Sequence, residues 1–474
     1  MLSGDLVRVK TDQLPVGSRL SHPVNDSENR LLLAAGVTLT PRLKDRLISR
    51  GIDDVLLHPD DAAVLFGDAS ALFGDATALF GKAEQSSRTA KKSTAAAKIL
   101  AKESQVSKQQ AALRETAALL KTQAAALAAA VPPKVQNTGP PLKQRQSQHG
   151  TDPYNMGQRK RLSQHFAVTT QLLSDLASSA LKGRVEDDHI LSHVTEDYVE
   201  ELTDDTDNVL ATSRELAPNP QLTERGIRLS LLGMATAIEM EWDEHHVREV
   251  GLCGLIHDLG MVRLQPTLQD QKDELSAQAF QQLVDHPLHT LDLISSMKNI
   301  SLPVRLAATQ VHENPDGTGY PRRLKSNDIH PYASLLHAAD AFISLTAKMH
   351  GRPAYLSYDV MVYLLNQVKA GRMDESAMRA LLQAVTLFPI GSHVRLSDGT
   401  EAQVLRRNQT NYTAPIVQRV GADRKVRFDS KNASILDLAA TKMTVMSPLI
   451  PPDSQEGRID DSHMAEVLWH GIAK

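Results

Sequence analysis

Five side chains of metal-ligand type stand in this chain where a helical pattern calls for apolar residues: His257, Asp258, His286, His312 and Asp340. His257 and Asp258 close the run VREVGLCGLI (247–256), and His257 shares the face of Val250, Cys253 and Gly254, so it points inward. His286 precedes Pro287, which reads as the opening of the next helix, where proline is best tolerated. His312-Glu313 closes a helix that begins at Pro303, with His312 on the face of Val304 and Ala308. Asp340 lies in SLLHAADAFISLTA (334–347), on the face of Ala333, Leu336, Ile343 and Ala347. An isolated inward histidine is more often a satisfied core residue than a ligand, and a carboxylate on an apolar face is costly unless paired or bound to a cation. Three histidines and two aspartates converging from four helices would satisfy one another around hard or borderline divalent metals. A buried His–Asp hydrogen-bond network without metal is the alternative.

The elements that must position these residues read as a mainly α fold. From about residue 157 to 385 apolar residues recur at helical intervals, as at Ile227, Leu231, Met234 and Ile238, which predicts a helical bundle. Residues 1–62 read as a small α+β module. Leu6–Val9 alternates like a strand, Thr40-Pro41 opens a helix and Val55–Leu57 supplies a closing strand. Residues 63–156 read as a linker. It starts with the repeat LFGDASA, LFGDATA, LFGK, continues Ala-rich and partly helical over 82–131, and ends flexible and Pro-rich over 132–156. Two alternating runs around Asp398-Gly399 predict a hairpin within a small β-barrel-like domain, 386–447, and 448–474 reads as a tail.

Composition narrows the function classes. With 52 basic and 56 acidic side chains the formal charge of the 474-residue chain is −4, which argues against a dedicated polyanion binder, and no nucleic-acid motif appears in its expected context. One cysteine, Cys253, excludes an internal disulfide framework and a Cys-based zinc site. No apolar run reaches the roughly 18 residues of a membrane span, and the N-terminus lacks a signal pattern, so a soluble, cytoplasmic protein is expected.

The series HDLGM (257–261), HPLHT (286–290), VHENPDGTGYP (311–321) and AADAFISL (338–345) resembles the HD-GYP domain of the bacterial HD phosphohydrolases, over about residues 160–385. Arg352-Pro353 with Tyr355 matches the family's RPY segment. The resemblance implies an HD-type helical bundle that hydrolyses cyclic di-GMP to pGpG or GMP in second-messenger signalling, with two or three metals, often iron or manganese. By motif position Asp258 would be the bridging ligand, with His257 beside it at the catalytic centre, and His286, His312 and Asp340 would complete the set. Arg352 and Lys348 are the surviving cations for phosphate contacts. Cyclic di-GMP or a related nucleotide, signalling proteins and a second copy of the chain are the partners implied.

The chain departs from the family pattern at four places. Arg225 stands where the family has a histidine about thirty residues before the HD pair, and Val311 replaces the first of two adjacent histidines. Met261 and Asn314 replace a lysine and an arginine. A guanidinium cannot ligate a metal; it is expected to fill a vacated metal position and pair with Asp258 or Asp340. His245, His246, His289 and His337 are candidate replacement ligands. Two readings follow: a phosphodiesterase with an altered site for one metal, or for two with additional waters, or an impaired domain serving as a nucleotide-binding or protein-interaction module.

Overall fold

The computed structural model describes residues 7–11, 14, 20–26, 31–33, 44, 47–48, 52, 54–58, 61, 116–131, 134–182, 189–216, 222–264, 277–348, 353–408, 411–420, 435–451, 454 and 456–459. They fall into two units, Met1–Ser104 and Gln105–Lys474. The repeat beginning at Leu65 and the remainder of 63–115 lie outside the described residues, as do Arg352 and the residues from 460 onward.

The first unit carries a four-stranded antiparallel sheet of β1 (Val7–Lys10), β2 (Val24–Asn25), β3 (Leu31–Leu33) and β4 (Asp54–Leu57), in the order β1-β4-β2-β3. Its alternating pattern buries Val9, Val55 and Leu57 with Leu14, Leu20, Val24, Leu33 and Leu47. The carboxylate of Asp61 accepts the backbone N–H groups of Ser21 and His22, tying the loop before β2 to the chain just after β4.

The second unit is mainly helical, as its periodicity predicts. A helix over residues 116–130 (α1) is followed by α2 (Met156–Leu181), α3 (His189–Ser213), α4 (Leu222–Glu239), α5 (Glu244–Ile256), α6 (Ala277–Ile294), α7 (Leu302–Ala308), α8 (Pro331–Thr346), α9 (Ser357–Lys369) and α10 (Glu375–Val385). Side-chain caps set several starts: Asn155 for α2, Asp243 for α5, Ser301 with a following proline for α7, and Asp374 for α10. The middle of α4 is apolar on nearly all sides and forms the centre of the core, packed by α3, α5, α8 and α10.

Two helix limits differ from expectation. Pro287 lies in the middle of α6, not at its start, and α7 ends at Ala308, with a series of turns carrying the chain on to His312. Residues 134–155, read as flexible, instead pack on the bundle. Asp243 accepts the N–H groups of Thr138 and Gly139 at 2.7 and 3.0 Å, and Leu142 and Tyr154 are buried. These partners are about a hundred residues away, so no local pattern announces them.

The C-terminal part of this unit is a five-stranded antiparallel sheet of β5 (His393–Leu396), β6 (Glu401–Arg406), β7 (Ile416–Arg419), β8 (Ile435–Asp437) and β9 (Val445–Leu449), ordered β8-β7-β6-β5-β9. The expected β5–β6 hairpin turns at Gly399, whose φ is +82°, and Asp398 accepts the N–H of Thr400. Buried ion pairs hold this sheet on the bundle. Arg406 forks onto Asp205 with two 2.8 Å bonds, and Arg407 reaches Asp207 at 2.5 Å and Glu239 at 3.0 Å. Asp205 interrupts α3 with extended dihedrals (φ −148°, ψ 83°) where it meets that arginine. Residues of the expected tail also dock: Gly457 bridges Tyr355, and Arg458 reaches Asp359 at 2.5 Å. No helix among the described residues is long and apolar enough to cross a membrane.

Candidate metal centre

The five ligand-type residues come together at one place, all of them at most 9% exposed. His257 is the C-cap of α5 and Asp258 follows it into a 3-10 turn (Leu259–Arg263). His286 projects from the middle of α6, His312 from the turns after α7, and Asp340 from the middle of α8. Asp258 is the hub. Its Oδ1 lies 3.0 Å from His286 Nε2 and 3.2 Å from His312 Nε2, and its Oδ2 lies 3.2 Å from His257 Nε2. His286 Nε2 and His312 Nε2 are 3.1 Å apart. Asp340 stands at the edge, its Oδ2 4.0 Å from His312 Nδ1.

Backbone carbonyls assign two of the tautomers. His257 Nδ1 is 2.9 Å from the Gly254 carbonyl and His286 Nδ1 is 2.6 Å from that of Leu283; a carbonyl only accepts, so both Nδ1 atoms carry the proton. Each Nε2 in the neutral ring then turns a lone pair toward Asp258. His257 Nε2 is close to Asp258 Oδ2 but off hydrogen-bond geometry, and makes no hydrogen bond while fully buried. Lone-pair nitrogens and a carboxylate gathered within 3.2 Å repel unless a cation or protons lie among them. The ligand atoms of His257, Asp258 and His312 all fall within 4.8 Å of one another, so imidazole and carboxylate donors fit a borderline divalent cation. Burial alone would push the Asp258 carboxyl up; with protons on the facing nitrogens, the charge of His257 and the hydrogen bonds of His257, His286 and His312 hold it well below the usual carboxylate range.

Local sequence explains the orientation of these groups. Pro287 has no N–H, so the Leu283 carbonyl loses its helical partner; the His286 ring takes that acceptor and aims Nε2 at Asp258. Thr290, one turn on, donates its hydroxyl to the His257 carbonyl and accepts the N–H of Gly260 at 2.8 Å, locking the HD turn against α6. Gly260 permits that contact: a Cβ there would lie 2.1 Å from the His286 carbonyl oxygen. Gly260→Ala is expected to cost about 3 kcal/mol by forcing the turn off α6, read as a lowered urea midpoint; an unchanged midpoint would contradict the packing described. Gly319 plays the equivalent part in the GYP loop, where a Cβ would lie 2.2 Å from the Asn314 nitrogen. The Glu313 carboxylate accepts the N–H groups of Arg322 and Leu324 at 2.7 and 2.9 Å, so this loop folds back and stacks Tyr320 on His312, ring centres 5.1 Å apart.

Arg225 enters from α4. Its Nη2 lies 3.4 Å from Asp340 Oδ1 and 3.1 Å from Ser344 Oγ. Burial works to lower the guanidinium pKa, but the carboxylates of Asp340 and then Asp258 raise it on balance, so the cation is firmly held. Burial also works to raise the Asp340 pKa, yet Arg225 foremost, with His257 and His312, brings it below its ordinary value. Arg225 and Asp340, with side chains 21% and 13% exposed, form the open edge of an otherwise sealed cluster. A cavity of about 20 Å³, room for one water, lies between His257, Asp258, the start of α4 at Leu222 and Thr223, and the apolar side chains of Leu173 and Leu176.

The remaining candidates are placed elsewhere. Val311 is fully buried in the main core. His337 donates Nδ1–H to the Val311 carbonyl, and burial lowers its pKa to about 4, so it is neutral. His246 spends both ring nitrogens on Tyr332 and the Gln136 carbonyl, and His245 is exposed beside it. His289 sits half-buried one turn after His286 on α6 and is outside the cluster of His257, Asp258 and His312. Lys348 follows the end of α8 and lines a different cavity. The reading of residues alone missed Thr290, Ser344 and the stacking of Tyr320; Thr290 and Tyr320 stand inside the HPLHT and GTGYP strings, and Ser344 one turn beyond Asp340 carried no signal.

The HD domain family matches residues 211–377. The chain is 26% identical over 193 residues to a cyclic di-GMP phosphodiesterase of Pseudomonas aeruginosa, covering 40% of this chain and 46% of that protein. It is 21% identical over 215 residues to the cyclic di-GMP phosphodiesterase PdeB of Borreliella burgdorferi, covering 45% and 56%. It is 25% identical over 135 residues to 3'3'-cGAMP-specific phosphodiesterase 3 of Vibrio cholerae, covering 28% and 29%. The match thus spans about half the length of the first two relatives and less of the third.

Proposed function

This chain carries an HD domain related to the HD-GYP cyclic di-GMP phosphodiesterases, and from that premise we propose that it is itself a metal-dependent phosphodiesterase that hydrolyses cyclic di-GMP to pGpG or GMP in second-messenger signalling. The observation that carries the reading is the convergence of the His257, His286 and His312 Nε2 atoms on one buried carboxylate, two of those rings having their other nitrogen tied to backbone. His257, Asp258, His286 and His312 would hold iron or manganese, with Asp340 at the edge of the set. A divalent cation there would supply positive charge to a phosphodiester and make water more acidic near neutral pH.

The chain's own groups have separate tasks. Asp258, anionic at neutral pH, charges the centre of the site, and Pro287 and Thr290 orient the imidazole of His286 and the HD turn around it. Glu313 sets the GYP loop so that the Tyr320 ring walls one side. Arg352 is the cation proposed to meet substrate phosphates; Lys348, expected beside it from the sequence, lines a different cavity.

Pro287→Ala is a selective test of this arrangement. The restored N–H would compete with His286 for the Leu283 carbonyl, so metal affinity is expected to fall about tenfold or more, the scale of outer-shell changes, while thermal stability holds or rises. Titration calorimetry with manganese reads the first and a melting curve the second; unchanged affinity would show that the proline has no positioning role.

One observation favours a second reading, an impaired domain that binds a cyclic dinucleotide or a protein partner without turning it over. Arg225 already engages Asp340 and Val311 is core, which supports reading the site as one with fewer ligands than the resemblance implies. Anaerobic incubation of manganese- or iron-loaded protein with cyclic di-GMP, and in parallel with 3'3'-cGAMP, separates the two. Linear product that disappears in His257→Ala supports the phosphodiesterase; tight binding without product supports the module.

A further inference from the structure

A cavity of about 450 Å³, within the range of small-molecule sites, lies where α3, α4 and the end of α8 meet the segment leading into the C-terminal sheet. None of the five candidate ligands, nor Arg225, is in its wall. Leu210, Leu232, Phe342 and Ile343 make one side apolar, whereas Arg214, Arg228 and Lys348 bring three cations to it.

The two arginines are unusual in their partners. Arg214 donates to the Ile390 carbonyl at 2.6 Å and to Ser357 Oγ at 3.4 Å; Arg228 donates to the carbonyls of Ser213 and Arg214, both at 3.2 Å. Among the described residues neither guanidinium has a carboxylate within ion-pair distance; Arg214 is exposed, with Glu456 acting on it only from farther off, and Arg228 is half-buried. Burial lowers the pKa of each, that of Arg228 to about 10, where the neighbouring Arg214 adds to the effect. Arg214 still keeps accessible surface, and that open side faces the cavity. Two like charges held together against carbonyls and an empty volume form a site in want of an anion. Guanidinium groups fit phosphate oxygens best, through paired N–H donors, and the apolar wall asks for a body attached to that phosphate.

We propose that this cavity is a second, non-catalytic binding site for a phosphate monoester carrying a flat or apolar body, of nucleoside monophosphate size, with Arg214 and Arg228 gripping the phosphate. Glu456, from the docked C-terminal segment, is the one carboxylate among the described residues in the wall and stands as an electrostatic gate. The site also has a route to the metal centre. Arg228 lies one turn beyond Arg225 on α4, and Ile343 and Thr346 follow Asp340 on α8, so an occupant pressing on either helix acts on the Arg225–Asp340 pair. Binding itself does not depend on the proposed hydrolysis.

Titration calorimetry on the full, metal-free chain tests this with adenosine 5'-monophosphate, adenosine and inorganic phosphate as probes. The monophosphate is expected to bind at least tenfold tighter than either fragment. Arg228→Gln is expected to weaken it at least tenfold, and Glu456→Gln to tighten it severalfold by removing a like charge from the phosphate. Asp258→Asn is expected to leave this affinity unchanged, which separates the cavity from the metal centre. Equal affinity for adenosine, no effect of Glu456→Gln, or loss of binding in Asp258→Asn would each overturn the proposal. If Arg228→Gln does not fold, the Glu456→Gln and Asp258→Asn results decide.

Discussion

Asp258→Asn is expected to lower metal affinity by more than about a hundredfold, beyond the upper end of what even an outer-shell change costs, and to bring hydrolysis of cyclic di-GMP to the protein-free background. The substitution keeps the shape of the side chain and removes its charge. Three imidazole nitrogens now share that carboxylate at 3.0 to 3.2 Å, and no other acid is as close to them: Asp340 reaches only His312, at 4.0 Å, and is engaged by Arg225. An amide there offers one neutral oxygen and a donor N–H, which takes a lone pair from His286 or His312 that a metal would need. The fold should survive, because the backbone of the HD turn is held independently by Thr290 and Gly260. Calorimetry with manganese beside a urea melt checks both parts. Retained affinity with an intact fold would mean that metal, if bound at all, is held elsewhere.

Arg225→Ala is expected to destabilise the metal-free protein by about 3 kcal/mol, the lower end of the cost of leaving a buried charge without its partner. Its bond to Asp340 is long, 3.4 Å, and both side chains keep some exposure, which argues for that lower end. A bound divalent cation would replace part of the lost charge, so saturating manganese should narrow the gap between variant and wild type through mass action. Arg225→His tests the same position in the other direction: it removes the cation that repels a metal and offers an imidazole beside Asp340, and metal stoichiometry is expected to rise, further when combined with Val311→His. Denaturant melts with and without manganese read the first effect and elemental analysis the second. If Arg225→Ala melts like the wild type, the arginine is a solvated neighbour of Asp340 and not its counter-ion.

Much of the bundle was legible because helical periodicity is a local signal. The His257-Asp258 pair was placed correctly at the end of α5, and the Asp398-Gly399 hairpin carried its own turn chemistry. His286 joins the candidate site, but from a different place in its helix than expected. The usual preference of proline for a helix start conflicts here with a local use, since Pro287 frees the carbonyl that orients its neighbour. Residues 134–155 look flexible by composition and are ordered by Asp243, Leu142 and Tyr154 through contacts that only the tertiary fold creates. The junction built by Arg406 and Arg407 was invisible for the same reason: arginines at the end of a strand look like solvated charges until Asp205, Asp207 and Glu239 arrive from two other helices. At the candidate site the pairing partner of Arg225 was one of the two expected, whereas the Tyr320 stack and the Thr290 clasp depend on how the chain folds back.

The most direct measurement is the metal content of the full chain purified without oxygen, by elemental analysis of wild type and Asp258→Asn side by side. The predicted result is at least one iron or manganese ion per chain in the wild type and loss of that metal in a folded variant. Wild type without stoichiometric metal after loading, or a variant that retains all of it, would contradict a metal centre built on His257, Asp258, His286 and His312.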